Sequence, residues 1–252
     1  MSCVRMLPAA QRHLVATTTT DQVEWCTEWL PAMAMDAATA TLKFQNVSGN
    51  LRARPVMQTA EARTDKPDAA TAVGTAATTA GEYFFSTTDF NLSAVTAGKT
   101  FVRFGFAYSV SAGSLGQADA QLQVAVRQCG HLLPAWSGHL MATSTQKVFQ
   151  PVTGWMPALG VTKIEGTVVI TGLSGLELKL TYRTATASPE LPGTWDTTGV
   201  GTLFTTDTET NDGEQPVTTT NKMLIQAGFF YYAPGGSFGQ ADVSVAIGVR
   251  SS

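Results

Sequence analysis

Hydrophobic and polar residues alternate with a period of two over much of this chain. Val243, Val245, Ile247 and Val249 alternate with small or polar residues, as do Leu122, Val124 and Val126. Leu176, Leu178, Leu180 and Tyr182 share one parity, with Glu177, Lys179 and Thr181 on the other. Successive side chains of a strand point to opposite faces, so the pattern predicts strands with one buried face. Thr, Val and aromatic residues fill these runs, and Gly, Pro and Asn punctuate them at short intervals. No alternating βαβ pattern is present. The expected fold class is all-β.

The strand pattern occurs twice. Residues 105–127 and 228–250 each contain an aromatic strand, a Gly/Ser turn, the string Ser-x-Gly-Gln-Ala-Asp, and a second strand ending in Val-Arg. Each is expected to be a hairpin. Cys3–Thr19 matches Cys129–Thr145 at a constant offset, Trp29-Leu-Pro31 matches Trp155-Met-Pro157, and Ser48-Gly49 matches Ser174-Gly175. The reading is an internal duplication giving two tandem, homologous β-sandwich (jelly-roll-like) domains, 1–127 and 128–252. Residues 167–182 read as a further hairpin. Its counterpart begins at Thr41, turns at residues 46–49 and continues from Leu51, where Pro55 interrupts it, which suggests a sheet edge. Residues 69–80 and the acidic stretch 207–214 read as loops.

Composition changes the picture in one respect. Charged residues make up only 14% of the 252 residues, and Thr, Ala, Gly and Ser take their place. Soluble domains carry about 25%. A neutral polar surface of this kind suits burial against other proteins. The net charge is −3, with no basic stripe to neutralise phosphates, so no nucleic-acid partner is expected. No apolar run has the length of a membrane span, so no membrane partner is expected either. Residues 1–20 lack the apolar core of a signal peptide, and three cysteines give no disulfide framework. Synthesis in the cytoplasm is the expectation.

Candidate chemistry is sparse. His13 and His139 occupy matching positions, but neither they nor His131 has the His and Cys spacing of a metal site. Cys3 and Cys129 match as well and read as small packed residues. Asp119 and Asp242, in the repeated Gly-Gln-Ala-Asp string, are expected to accept hydrogen bonds from backbone N–H groups of their own turns. Trp29 and Trp155 are expected to be buried core residues common to both halves. Trp25, Trp136 and Trp195 are not repeated and suit a sugar platform or a protein contact. No catalytic, cofactor-binding or metal-binding residue is assigned, and an enzyme is not expected.

The run Phe229-Phe-Tyr-Tyr232 places aromatics on both faces of one strand. The matching first-half strand has Ala107 and Ser109 on its second parity, so Phe230 and Tyr232 are expected to face outward as a protein interface. The functional expectation is a non-enzymatic structural protein of a large assembly, chiefly a phage-type virion. It would be a capsid decoration or cement protein or a tail or neck component. Other copies of itself and a separate shell or tail protein are the expected partners. A carbohydrate-binding or adhesive module carried on a particle, with a glycan as ligand, is the alternative.

Overall fold

The alternating runs form strands in the computed structural model, which describes residues 3–32, 35–113, 115–128, 130–186, 199–220 and 222–251. The chain divides into two compact units, Met1–Cys129 and Gly130–Ser252. The first holds β1 (Cys3–Met6), β2 (Ala10–Ala16), β3 (Gln22–Trp25), β4 (Leu30–Pro31), β5 (Met35–Ser48) and β6 (Leu51–Ala60). It continues with β7 (Thr71–Ala72), β8 (Gly81–Phe85), the single-turn helices α1 (Thr87–Phe90) and α2 (Leu92–Val95), β9 (Phe101–Val110) and β10 (Gly116–Gln128). The second holds β11 (Gly130–Leu132), β12 (Trp136–Ala142), β13 (Val148–Pro151), β14 (Met156–Pro157) and β15 (Val161–Ser174). After these come β16 (Glu177–Ala185), β17 (Leu203–Phe204), β18 (Thr208–Pro216), β19 (Leu224–Tyr232) and β20 (Gly239–Ser251).

Each unit is a sandwich of two five-stranded antiparallel sheets. In the first unit the orders are β1-β10-β5-β8, with β2 also on β10, and β3-β9-β6-β7, with β4 also on β9. In the second they are β11-β20-β15-β18, with β12 on β20, and β13-β19-β16-β17, with β14 on β19. The two sets correspond strand for strand. The inward parity of both sheets fills one core per sandwich. Leu14, Leu42, Phe44 and Leu122 meet Leu51, Val102, Phe104 and Phe106 in the first unit. Ile164, Val168, Val243, Val245 and Ile247 meet Leu178, Leu180 and Phe229 in the second.

The segments expected to be hairpins are not hairpins. β9 and β10 belong to opposite sheets, as do β19 and β20, β5 and β6, and β15 and β16. The chain arches over the core edge instead of turning back on its own ladder. Alternation and Gly/Ser turns are common to both geometries. The difference lies in which neighbours occupy each strand's two edges. β10 is flanked by β5 on one side and by β1 and β2 on the other, and β9 by β6 and by β3 and β4. Glycine makes the arches possible. A Cβ on Gly116 would lie 2.7 Å from the carbonyl oxygen of Gly49, and one on Gly239 would lie 2.2 Å from that of Gly175. Gly49 and Gly175 have φ near +65° and +62°, a region L-residues with a Cβ rarely enter. In each unit two arches therefore touch backbone to backbone.

Prolines sit where the ladders allow them. Pro8 separates β1 from β2, and Pro134 separates β11 from β12, each breaking an outermost strand. Pro55 lies in β6, one strand in from the edge formed by the two-residue β7. Its carbonyl accepts from Val73 N–H, so its missing N–H faces that short strand and the ladder to β9 stays whole. The stretch 69–80 contains β7, and most of the acidic stretch 207–214 lies in β18, paired with β15. Neither is simply a loop. The acidic residues are tied to the scaffold. Asp207 accepts from the backbone N–H groups of Gly172 and Leu173, at 3.1 and 2.7 Å.

One carboxyl is buried at this edge. Glu165 accepts from the Asn211 side-chain amide at 2.7 Å, while Glu214 opposite it pairs with Lys163 and Arg250. Burial holds the Glu165 carboxyl above the ordinary glutamate range, opposed by the Asn211 hydrogen bond. A raised carboxyl pKa costs nothing below the unfolded value of about 4.3 and destabilises the fold as pH rises above it. Glu165→Gln keeps the acceptor for Asn211 and removes the ionisation. The variant is expected to melt higher than wild type at neutral pH and at the same temperature in acid. Equal or lower melting at neutral pH would show that the buried carboxylate costs the fold nothing.

Candidate functional site

The repeated aspartates are not turn locks. Asp119 lies within β10 directly across from His13 of β2, and Asp242 of β20 lies across from His139 of β12. Each carboxylate takes a hydrogen bond with the histidine Nδ1 at 2.7 Å. The turn ends before the aspartate, so its side chain meets a cross-strand neighbour on the outer sheet face, not the turn's own N–H groups. The sequence signal was available: a His and an Asp, each repeated at matching positions in the two halves.

The two pairs differ in their surroundings. Asn46 enters the left-handed region (φ 51°) at an irregularity between β5 and β10. Its side-chain amide donates to the second Asp119 oxygen at 2.6 Å. This bond and the His13 contact hold the Asp119 carboxyl below its ordinary pKa. The matching residue in the second unit is Gly172, also left-handed (φ 65°), and it has no side chain to offer. The Asp242 side chain is 69% exposed, against 48% for Asp119.

A second arrangement lies on the outer face of the other sheet in each unit. The Arg103 guanidinium stacks over the rings of Trp25 and Trp29, 4.2 and 4.5 Å from their centres. The Arg183 guanidinium lies over Phe149 and Trp155 at 5.0 and 5.1 Å. Trp29 and Trp155 are half-buried and are not among the core residues. This corrects their expected place inside the sandwich. Strand β9 turns the Arg103 parity outward, and Trp25 at the end of β3 and Trp29 in the link to β4 lie across it. Each arginine also donates to a glutamine on the neighbouring strand. Arg103 bonds Gln58, with Arg on β9 and Gln on β6. Arg183 bonds Gln226, with Arg on β16 and Gln on β19. The pair is the same and its two ends are exchanged. Cation–π stacking and a charge-assisted hydrogen bond fix each guanidinium in place.

The pair Phe230 and Tyr232 lies on the outer parity of β19, but it is not an open patch. Phe230 is only 2% exposed. The Lys147 ammonium sits 4.3 Å from its ring centre, and Gly199 packs so closely that a Cβ there would come within 2.7 Å of the ring. The Tyr232 hydroxyl donates to Glu177 across the strand pair. Residues remote in sequence fold over this face, which period-two alternation cannot show. Among the unrepeated tryptophans, Trp25 lies in the arginine stack. Trp136 packs edge-on against Phe229, with ring centres 5.4 Å apart, beside the second core. Trp195 and Cys129 lie outside the described residues. The Cys26 thiol is pushed up to about 11 by burial and is a poor nucleophile at neutral pH.

Among the described residues, no group of three or more His, Cys, Asp or Glu side chains is placed to hold a metal ion. No helix among them is long and apolar enough to cross a membrane. What the sheet faces offer is two fixed guanidinium–aromatic stacks and two His–Asp pairs.

These features define a tandem β-sandwich protein. No family model and no curated protein matches the chain. Solved structures that align with it include the PBSX exported protein XepA, 10% identical, with a TM-score of 0.26, covering 98% of this chain and 86% of that one. The infectious bursal disease virus Gx strain structure is 10% identical, with a TM-score of 0.32, over 99% of this chain and 72% of that one. The CBM22-1–CBM22-2 tandem domain of Paenibacillus barcinonensis Xyn10C is 8% identical, with a TM-score of 0.24, over 99% and 93%. At such scores these likenesses carry nothing over to this chain, whose fold is read from its own sheets.

Proposed function

We propose that this protein is a non-enzymatic assembly component that binds other proteins through the outer faces of its sandwiches. In this reading it belongs to a virion, as a shell decoration or a tail or neck part. Its partners are other copies of itself and a separate shell or tail protein. Its two units descend from one by duplication, a reading supported by the matching strand orders and the repeated arches. The observation that carries the proposal is the pair of half-exposed stacks, Trp25–Arg103–Trp29 and Phe149–Arg183–Trp155. Trp and Arg dominate protein-interface hot spots, because a rigid ring and a planar cation bury much area with little entropy loss. The sandwich core does not require them, yet both units keep them.

The test begins with the native source. The protein is expected to sediment with a megadalton particle that also contains a distinct shell or tail protein. A Trp29→Ser/Trp155→Ser double variant is expected to remain folded by circular dichroism and to stay out of that particle. Arg103→Gln, which leaves a Gln–Gln cross-strand pair, is expected to weaken incorporation without altering the fold. Recovery only as free chain, or normal incorporation of the folded double variant, would overturn the proposal.

A further inference from the structure

The outer face of β2-β10-β5-β8 in the first unit is a different surface from the stacks and stands independently of the assembly reading. His13, Asp119 and Asn46 form its fixed centre. Around them Gln11, Lys43, Gln45 and Gln121 line a shallow depression of about 360 Å³. Strand register places these side chains in rows across the sheet. Gln11 lies opposite Gln121, Gln121 opposite Lys43, and Asp119 opposite Gln45. One row further on, Phe84 of β8 lies opposite Thr41 of β5 and is 70% exposed.

The second unit has the same strands in the same register, with other side chains. Ser137 stands where Gln11 does, Val169 for Lys43, Thr171 for Gln45, Gly172 for Asn46 and Ser244 for Gln121. Ser137 and Ser244 hydrogen-bond each other at 2.9 Å, so their hydroxyls satisfy one another. Among these positions, only the His–Asp pair is common to both faces. In the first unit, long amide side chains that offer both a donor and an acceptor surround it. The scaffold does not require them, since the second unit folds without them.

The lysine of this face is matched by a carboxylate, Lys43 pairing with Glu82, and the Asp119 carboxylate is held by His13 and Asn46. No excess positive field is left to hold a polyanion. What remains is a shallow trough of neutral donors and acceptors with one exposed ring at its rim. We infer that the first unit's His13–Asp119 face binds a neutral oligosaccharide. The glutamines and Lys43 bond the hydroxyls, and the Phe84 ring packs against the apolar face of a sugar. Glutamine amides match hydroxyls that both donate and accept, and aromatic rings match the C–H faces of pyranoses.

The experiment titrates the full chain with neutral hexaoses of glucose, xylose and mannose and with a sulfated hexaose, read by calorimetry. At least one neutral hexaose is expected to saturate below about 1 mM. The four-residue exchange Gln11→Ser/Lys43→Val/Gln45→Thr/Gln121→Ser installs side chains that the same backbone already carries in the second unit. It is expected to keep the melting temperature and to weaken that binding by about tenfold or more. Phe84→Ser alone is expected to weaken it as well. No saturation by any neutral hexaose, tighter binding of the sulfated one, or unchanged affinity in the folded exchange variant would overturn the inference. None of these results bears on the stacks, so the assembly proposal stands or falls separately.

Discussion

Replacing Gly239 with valine is expected to cost the second sandwich about 3 kcal/mol or more, the upper end for an overfilled site. A Cβ there would sit 2.2 Å from the Gly175 carbonyl oxygen, 2.5 Å from its carbon and 2.9 Å from the Leu176 nitrogen. All three are backbone atoms of the facing arch, so no side chain can rotate away. Gly175 itself is held at a φ of 62°, which leaves that arch little room to retreat. The measurement is urea denaturation followed by circular dichroism. Gly154→Ala serves as the control, because nothing lies within 4 Å of a Cβ at that position. It is expected to stay within about 0.5 kcal/mol of wild type. A Gly239→Val protein as stable as wild type would show that the arches do not need their glycine contact.

Phe230→Ala is expected to cost about 3–5 kcal/mol, the range for emptying an enclosed aromatic site. The ring is almost fully buried although it points away from the sandwich core. Among the described residues, Lys147 and the backbone at Gly199 cover it, and the Gly199 backbone cannot close the gap without moving its own segment. Tyr232→Phe removes only the bond to Glu177 from a half-exposed ring and is expected to cost much less. A stable Phe230→Ala protein with a newly sticky surface would return this face to the role that its sequence suggested. A fully unfolded one would explain any loss of assembly without an interface.

The sequence carried the strands and their inward parity because both are local properties. Alternation, read beside Ala107 and Ser109 of the matching first-half strand, assigns Phe229 inward and Phe230 outward, and that is where the two rings lie. It does not say what covers the outward face, since Lys147 and Gly199 come from distant segments. Nor does it separate an arch from a hairpin. Gly49 and Gly116 are informative only as a pair, and they lie far apart in the chain. The His–Asp pairs span 106 and 103 residues. Their trace in the sequence was the repetition of both members, each of which has a plausible local role when read alone. The Arg–Gln pairs were harder still. Arg103 matches Gln226 and Gln58 matches Arg183, so each position taken singly looks unrelated between the halves. Only the strand register shows one interaction turned end for end.

The broken outer strands have a consequence for the chain at high concentration. A long, straight outer strand is a template on which another molecule can extend the backbone ladder, and repetition of that step gives fibrils. Here β1–β2 is interrupted at Pro8 and β11–β12 at Pro134, while β4, β7, β14 and β17 are two residues long. A neighbouring strand aligned on any of these finds only a few hydrogen bonds before the ladder ends. The longer outer strands are guarded differently: β8 carries Glu82, and β18 carries Glu209, Asp212 and Glu214 and a register shift against β15, so charge and irregularity oppose ladder extension there. Many copies crowded together therefore find the common, sequence-blind route to aggregation opposed at these edges. Whatever ordered contacts they make must be chosen by side chains, with the directionality that side chains impose.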